Sequence, residues 1–147
     1  VAFWGPKMGA NAPRKPVVLL IEDSLHFQNL VRLLVAQYQP EADLHVVGDG
    51  VAGLMQCGQL QPDVLLIDIM LPGIDGATLI NSLRTQAGFD PLRLIVITSL
   101  DESQRQPYAA ALTGLAVIHK PRLAAELPPL LAQALRAHPT PILSGAS

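Results

Sequence analysis

Cysteine is almost missing from this chain. Cys57 stands alone among 147 residues, which excludes an internal disulfide. Histidine is scarce too, with four, and the usual zinc patterns need clusters of Cys and His that are not there. Charged residues make up only 15%, with ten Lys and Arg against twelve Asp and Glu. No basic cluster forms, so direct nucleic-acid binding through phosphate contacts is not expected. No stretch is both basic and amphipathic, which argues against a membrane-surface helix. No apolar run approaches the roughly 18 residues needed to cross a bilayer. A soluble, cytoplasmic domain is left, with half of its residues apolar and the length of one ordinary domain.

Both ends read as separate from the folded part. Residues 1–16, VAFWGPKMGANAPRKP, are rich in Gly, Pro and Ala and show neither helical nor strand period. They also lack the apolar core and cleavage site of a signal peptide, so they are taken as a disordered leader or tag remnant, Phe3 and Trp4 included. Residues 138–147 contain two prolines and two serines and read as a tail or a truncated linker. The domain is expected over residues 17–137.

Within it, two kinds of segment alternate. Val17–Ile21, Val64–Asp68 and Leu94–Thr98 are short continuous apolar runs, and Asp43–Val47 and Ala116–His119 are weaker ones. Runs of this kind suit strands buried on both faces, as in a parallel sheet. Between them, Phe27, Leu30, Val31, Leu34, Val35 and Tyr38 lie on one helical stripe, capped by Ser24 and ended by Pro40. Val51, Leu54 and Met55 give a shorter stripe, and Leu79, Ile80 and Leu83 another. Pro107 would break a long fourth helix, leaving a loop and a short helix from Pro107 to about Leu112. Leu130, Leu131, Ala134 and Leu135 mark the last helix, with Pro128 or Pro129 in its first turn. The order predicts an α/β fold: a doubly wound five-stranded parallel sheet with helices on both faces.

In such a sheet the chemistry collects beyond the carboxyl ends of the strands. Those ends carry Glu22-Asp23, Asp68, Thr98-Ser99 and Lys120-Pro121. Three carboxylates at one edge repel one another by about 4 kcal/mol per pair at ~4 Å and an effective dielectric near 20. Lys120 offsets part of this, and a hard divalent cation such as Mg²⁺ fits the oxygen-rich remainder. A cation beside a lone aspartate and a lysine suits phosphoryl transfer, with Asp68 as the attacking group.

These residues resemble a known family. Asp68-Ile-Met-Leu-Pro-Gly-Ile-Asp-Gly76 is similar to the phosphoacceptor segment of bacterial response-regulator receiver domains (CheY-like), as are the Glu22-Asp23 pair, Thr98, Lys120-Pro121, Asp49-Gly50 and Gln61-Pro-Asp63. The likeness covers about Lys15 to Ala137. It implies a flavodoxin-like receiver topology and a switch rather than an enzyme. Asp68 would take a phosphoryl group from a histidine of a sensor kinase or phosphotransfer protein. Asp23, Asp68 and the Met70 carbonyl would bind Mg²⁺, with Glu22 acting directly or through water. Lys120 would pair with the phosphoryl oxygens. Thr98, helped by the Ser99 backbone, would move toward the phosphoryl group, and a cis Lys120–Pro121 bond would aim the lysine inward.

The pattern departs from the family on its output side. Val117 stands where receivers usually carry the aromatic residue that swings behind the switch hydroxyl. Arg122 replaces a common aromatic after Lys120-Pro121, and Pro107 alters the fourth helix. The phosphorylation set is complete while the switch and output positions Thr98, Ser99, Val117 and Pro121 include an unusual member. Two other readings stand beside the switch. One is a degenerate receiver serving only as a docking module. The other is a phosphohydrolase with Asp68 as nucleophile, which would need a second acid where Met70 stands. Too few residues follow Lys120 for an output domain, which is expected outside this chain or as a separate partner.

Overall fold

The computed structural model describes residues 3, 4 and 14–137. Five strands, β1 (Val17–Ile21), β2 (Asp43–Val47), β3 (Val64–Asp68), β4 (Leu94–Thr98) and β5 (Ala116–His119), form one sheet in the order β2-β1-β3-β4-β5, and every neighbouring pair is parallel. The chain winds outward from β1 to β2 and then crosses back to β3. The reversal therefore falls between β1 and β3, where a crevice opens at their carboxyl ends. Five helices connect and follow the strands: α1 (Leu25–Tyr38), α2 (Gly50–Leu60), α3 (Gly76–Arg84), α4 (Ala109–Leu112) and α5 (Leu123–Ala137). This is the expected doubly wound fold.

Strand alternation divides the interior into two cores. Leu19, Ile21, Leu65, Ile67, Leu94 and Val96 face α2, α3 and α4. Val18, Leu20, Val64, Leu66, Ile95 and Ile97 face α1 and α5. Both faces are covered, which explains why the central strands β1, β3 and β4 read as unbroken apolar runs rather than as alternating ones.

Short polar side chains start the helices. Ser24, Asp49 and Asp75 accept from the backbone N–H groups of Phe27, Ala52 and Thr78, satisfying donors that the first turn leaves over. Asp49 and Asp63 thus hold the frame: Asp63 accepts from Val17 N (2.7 Å) and takes both terminal nitrogens of Arg14 (2.8 and 2.6 Å).

Two helices differ from their expected form. In α2, Val51 and Met55 point outward, and Gly50, Gly53 and Cys57 face the sheet. A Cβ on Gly53 would collide with the Ile21 side chain, so the helix packs closely because its inner face is nearly bare. Burial pushes the Cys57 thiol up to about 12, leaving it an inert core group. In α5, the helix starts at Leu123, so Pro128 and Pro129 lie inside it rather than in its first turn. The buried stripe Leu123, Leu127, Leu131 and Ala134 outweighs the two missing N–H donors. The expected loop and short fourth helix are found: a 3₁₀ turn over Gln106–Tyr108 runs into the four residues of α4. Arg84 Nη1, from the end of α3, donates to the carbonyls of Ala111 (3.3 Å) and Thr113 (2.8 Å) at the end of α4.

Of the expected leader, residues 1, 2 and 5–13 lie outside the described ones, as does the 138–147 tail. Trp4 departs from that expectation. Its side chain is buried, its indole N–H donates to the Leu83 carbonyl (3.3 Å), and its ring meets Phe89 edge-on at 5.7 Å. Nothing in the local sequence marks this contact, because the residues that receive it are far away in the chain.

Candidate functional site

The crevice beside β1 and β3 is built from chain ends. Glu22 and Asp23 follow directly on β1, Asp68 closes β3, Thr98 closes β4, and Lys120 follows β5. One carboxylate oxygen from each of Glu22, Asp23 and Asp68 lies within 4.8 Å of the others. Glu22 and Asp68 are buried (0% and 2% exposed), and Asp23 is exposed at the rim. Lys120, itself 6% exposed, reaches in from the β5 side. Its Nζ donates to Asp68 Oδ2 (2.9 Å) and lies 2.8 Å from Glu22 Oε1. The second contact is an ion pair without hydrogen-bond alignment, which leaves Oε1 able to accept from or ligate something else. The ammonium also sits 4.5 Å above the Phe27 ring, a favourable place for a cation.

The remaining carboxylate oxygens have backbone partners. Ser24 N–H donates to Glu22 Oε2 (2.8 Å), and Met70 N–H donates to Asp68 Oδ1 (3.0 Å). Burial pushes the Glu22 carboxyl above the ordinary glutamate value, opposed by Lys120 and the Ser24 amide. Burial alone would lower the Lys120 ammonium, but its contacts with Glu22 and Asp68 outweigh this and hold it above the ordinary lysine value. The lysine is therefore firmly charged, and among the described residues it is the ammonium set against the three carboxyl groups.

Each residue expected on the output side has a place. Thr98 is fully buried next after Ile97, the β4 partner of Asp68, and its Oγ1 accepts from Leu100 N–H (3.0 Å). Ser99 is exposed, and its carbonyl accepts from His119 Nε2 (3.1 Å), which puts the ring proton on that nitrogen. Val117 is half-buried against the α3/α4 core and borders a surface hollow of 240 Å³ with Glu102, Arg105, Ala109 and Leu112. Arg122 pairs with Glu126 on the surface (2.7 Å). The Lys120–Pro121 bond is a correction: it is trans, and no cis bond occurs among the described residues. Pro121 sits in the 3₁₀ turn Lys120–Arg122 that runs straight into α5, where its fixed φ suits the backbone. Lys120 reaches both carboxylates from that geometry.

Two residues of the site escaped sequence reasoning. Phe27 counted there only as one position of the α1 stripe, yet its ring supports the lysine. Tyr108, the single aromatic between Leu100 and Leu115, reaches across to donate its hydroxyl to the Met70 thioether (3.5 Å). Beside them a cleft of 410 Å³ opens, bordered by Asp23, Met70, Pro72, Asp75 and Tyr108. Its floor depends on a glycine. A Cβ on Gly76 would strike the Ile69 carbonyl, so the α3 start can approach the β3 end only there without a side chain.

A parallel sheet wound this way, with an acidic pocket bridged by a lysine at its switch point, defines a class of signalling domain. Residues 18–132 match the response regulator receiver domain family, and the chain belongs to it: it is a receiver domain of two-component signalling. Among curated relatives, it is 29% identical over 105 residues to protein-glutamate methylesterase/protein-glutamine glutaminase 5 of Myxococcus xanthus, matching 71% of this chain and 30% of that protein. It is 33% identical over 91 residues to the DNA-binding dual master transcriptional regulator RpaA of a Synechocystis strain, matching 60% of this chain and 36% of that one. The chain thus spans about a third of these relatives. The receiver domain of a DNA-binding response regulator from Colwellia psychrerythraea shares the fold, with a TM-score of 0.73 at 19% identity over 83% of this chain and 99% of that one. A receiver domain from Pseudomonas fluorescens gives 0.72 at 23%, over 87% and 92%.

Proposed function

We propose that Asp68 accepts a phosphoryl group from a phosphohistidine on a sensor kinase or phosphotransfer protein, and that the acyl phosphate shifts the domain between two states. The observation that carries this reading is the meeting of Glu22, Asp23 and Asp68, with Glu22 and Asp68 both paired to one buried lysine. An Asp68 oxygen attacks phosphorus, the new P–O bond forms as the P–N bond of the donor breaks, and the departing electron pair returns to the donor's ring nitrogen. Lys120 stands where it can follow the charge as it passes from the carboxylate to the phosphoryl oxygens. Asp23, exposed at the rim, leaves the pocket open to a donor.

The donor set also fits Mg²⁺. Three carboxyl groups within 4.8 Å against one ammonium leave an uncompensated negative charge, and all-oxygen sites with open positions suit this ion. Glu22, Asp23, Asp68 and the Met70 carbonyl would hold it, and when bound it supplies charge neutralisation for the transferring group. The output segment, or a partner protein that reads the switch, is expected outside the described residues. No helix among the described residues is long and apolar enough to cross a membrane.

Incubation with Mg²⁺ and acetyl phosphate tests the proposal by intact mass. One added phosphoryl group is expected on the wild type and none on Asp68→Asn. Failure of the wild type to label with any donor overturns the switch and leaves a docking module. Sustained turnover of phosphate esters would instead mark an enzyme.

A further inference from the structure

A second route leaves the pocket at Met70. Its backbone N–H holds Asp68 Oδ1, and its thioether accepts the Tyr108 hydroxyl. Tyr108 ends the 3₁₀ turn that feeds α4, and its half-buried ring packs on the α3/α4 core, as Leu100 and Val117 also do. Met70 itself is 49% exposed, so its position depends heavily on the two contacts at its ends. Two hydrogen bonds thus link the carboxylate, the β3–α3 loop and the segment leading into α4.

We propose that Tyr108 is the residue through which α4 senses the state of Asp68, in place of the ring that position 117 lacks. The inference rests on the phosphoacceptor reading above. While Asp68 is a carboxylate, Oδ1 is a charged acceptor, and such hydrogen bonds are about twice as strong as neutral ones. In the acyl phosphate one carboxyl oxygen bridges to phosphorus, the other is a neutral carbonyl, and the charge sits on the phosphoryl oxygens. The Met70 N–H then faces a weaker partner in either position, and the start of the β3–α3 loop loses its hold. Tyr108 must follow Met70 or release it. Either outcome changes what the α4 segment presents, and the two states gain the different contacts that any switch requires. Val117 cannot act this way, because a β-branched side chain has little χ1 freedom and no ring to move between inside and outside.

Hydrogen exchange of the segment spanning residues 101–115, read with and without phosphoryl on Asp68, tests the inference. Wild type and Tyr108→Phe are compared at equal phosphoryl occupancy measured by intact mass. The phenylalanine keeps the ring and removes only the hydroxyl, and the unlabelled proteins report any purely structural effect. The phosphoryl-dependent change in exchange is expected in the wild type. In Tyr108→Phe it should fall about two- to twelvefold, the span of an ordinary hydrogen bond's net strength. A full response in Tyr108→Phe overturns the inference, as does a wild type that labels without any change in this segment. A wild type that never labels overturns the phosphoacceptor reading itself, a result distinct from the other two.

Discussion

Lys120 is the residue on which the pocket's charge balance turns. It is buried, touches two buried carboxylates, and rests over an aromatic ring. In Lys120→Met the stem volume is largely kept while Glu22 and Asp68 lose their counter-charge, and removing one partner of a buried pair costs about 3–5 kcal/mol. The pH dependence follows from the two shifted groups. The raised Lys120 pKa means its contribution is present below the ordinary value of 10.5 and is lost as pH rises through the folded value. Glu22 is also raised, so its share is fully present below 4.5 and is lost as pH rises through its folded value. Without the lysine, the Glu22 pKa rises further. Urea denaturation should therefore find Lys120→Met worst at neutral pH, with the gap to wild type closing as pH falls toward 4.5. A gap independent of pH would mean that the lysine acts by packing alone. Sequence reasoning reached Asp68, Glu22, Asp23 and Lys120 because each follows a buried apolar run and so must lie at the same sheet edge. It missed Phe27 and Tyr108 because their contacts depend on how helix starts settle over the strand ends, which no local pattern encodes. The cis expectation for Lys120–Pro121 failed because the turn into α5 already directs the lysine inward.

At the level of elements, strands were more legible than helices. Five residues buried on both faces leave an unmistakable apolar run, whereas a helix declares its inner face only when that face carries side chains. α2 hides its inner face behind Gly50 and Gly53, so Val51 and Met55 gave a misleading stripe. α5 hides its beginning behind Pro128 and Pro129, which normally mark a first turn. Of the two, Pro129 is exposed, so its ring contributes little to the core while its missing N–H leaves the helix short of a bond. Pro129→Ala should stabilise the domain by about 2 kcal/mol, the interior penalty for proline less the freedom that alanine returns to the unfolded chain. Thermal unfolding would show this as a raised midpoint. A lowered one would mean that the proline ring holds the helix against its neighbours.

Across the whole molecule, the doubly wound order brings distant segments together, and Trp4 extends that beyond the sheet. Its indole bonds the end of α3, meets Phe89, and lies 6.0 Å from the buried Arg93 guanidinium. Burial holds Arg93 below the ordinary arginine value. Trp4→Ala should cost about 3 kcal/mol in urea denaturation of the full chain, in the range of large-to-small core changes. A loss of only a few tenths would mean that the segment rests on the domain without supporting it. The fold class was legible throughout; this contact was not, since a tryptophan among glycines and prolines has no periodicity to place it.

The guanidinium of Arg84 has a mechanical consequence. It ties α4 by its far end, through the Ala111 and Thr113 carbonyls, while the near end is tethered to the β3–α3 loop only through the hydroxyl of Tyr108 among the bonds described. A rod pinned at one end pivots rather than slides. Displacement would then grow from nearly nothing at Thr113 to its greatest at Gln106, so a partner reading this helix would find its sharpest contrast in the turn before it.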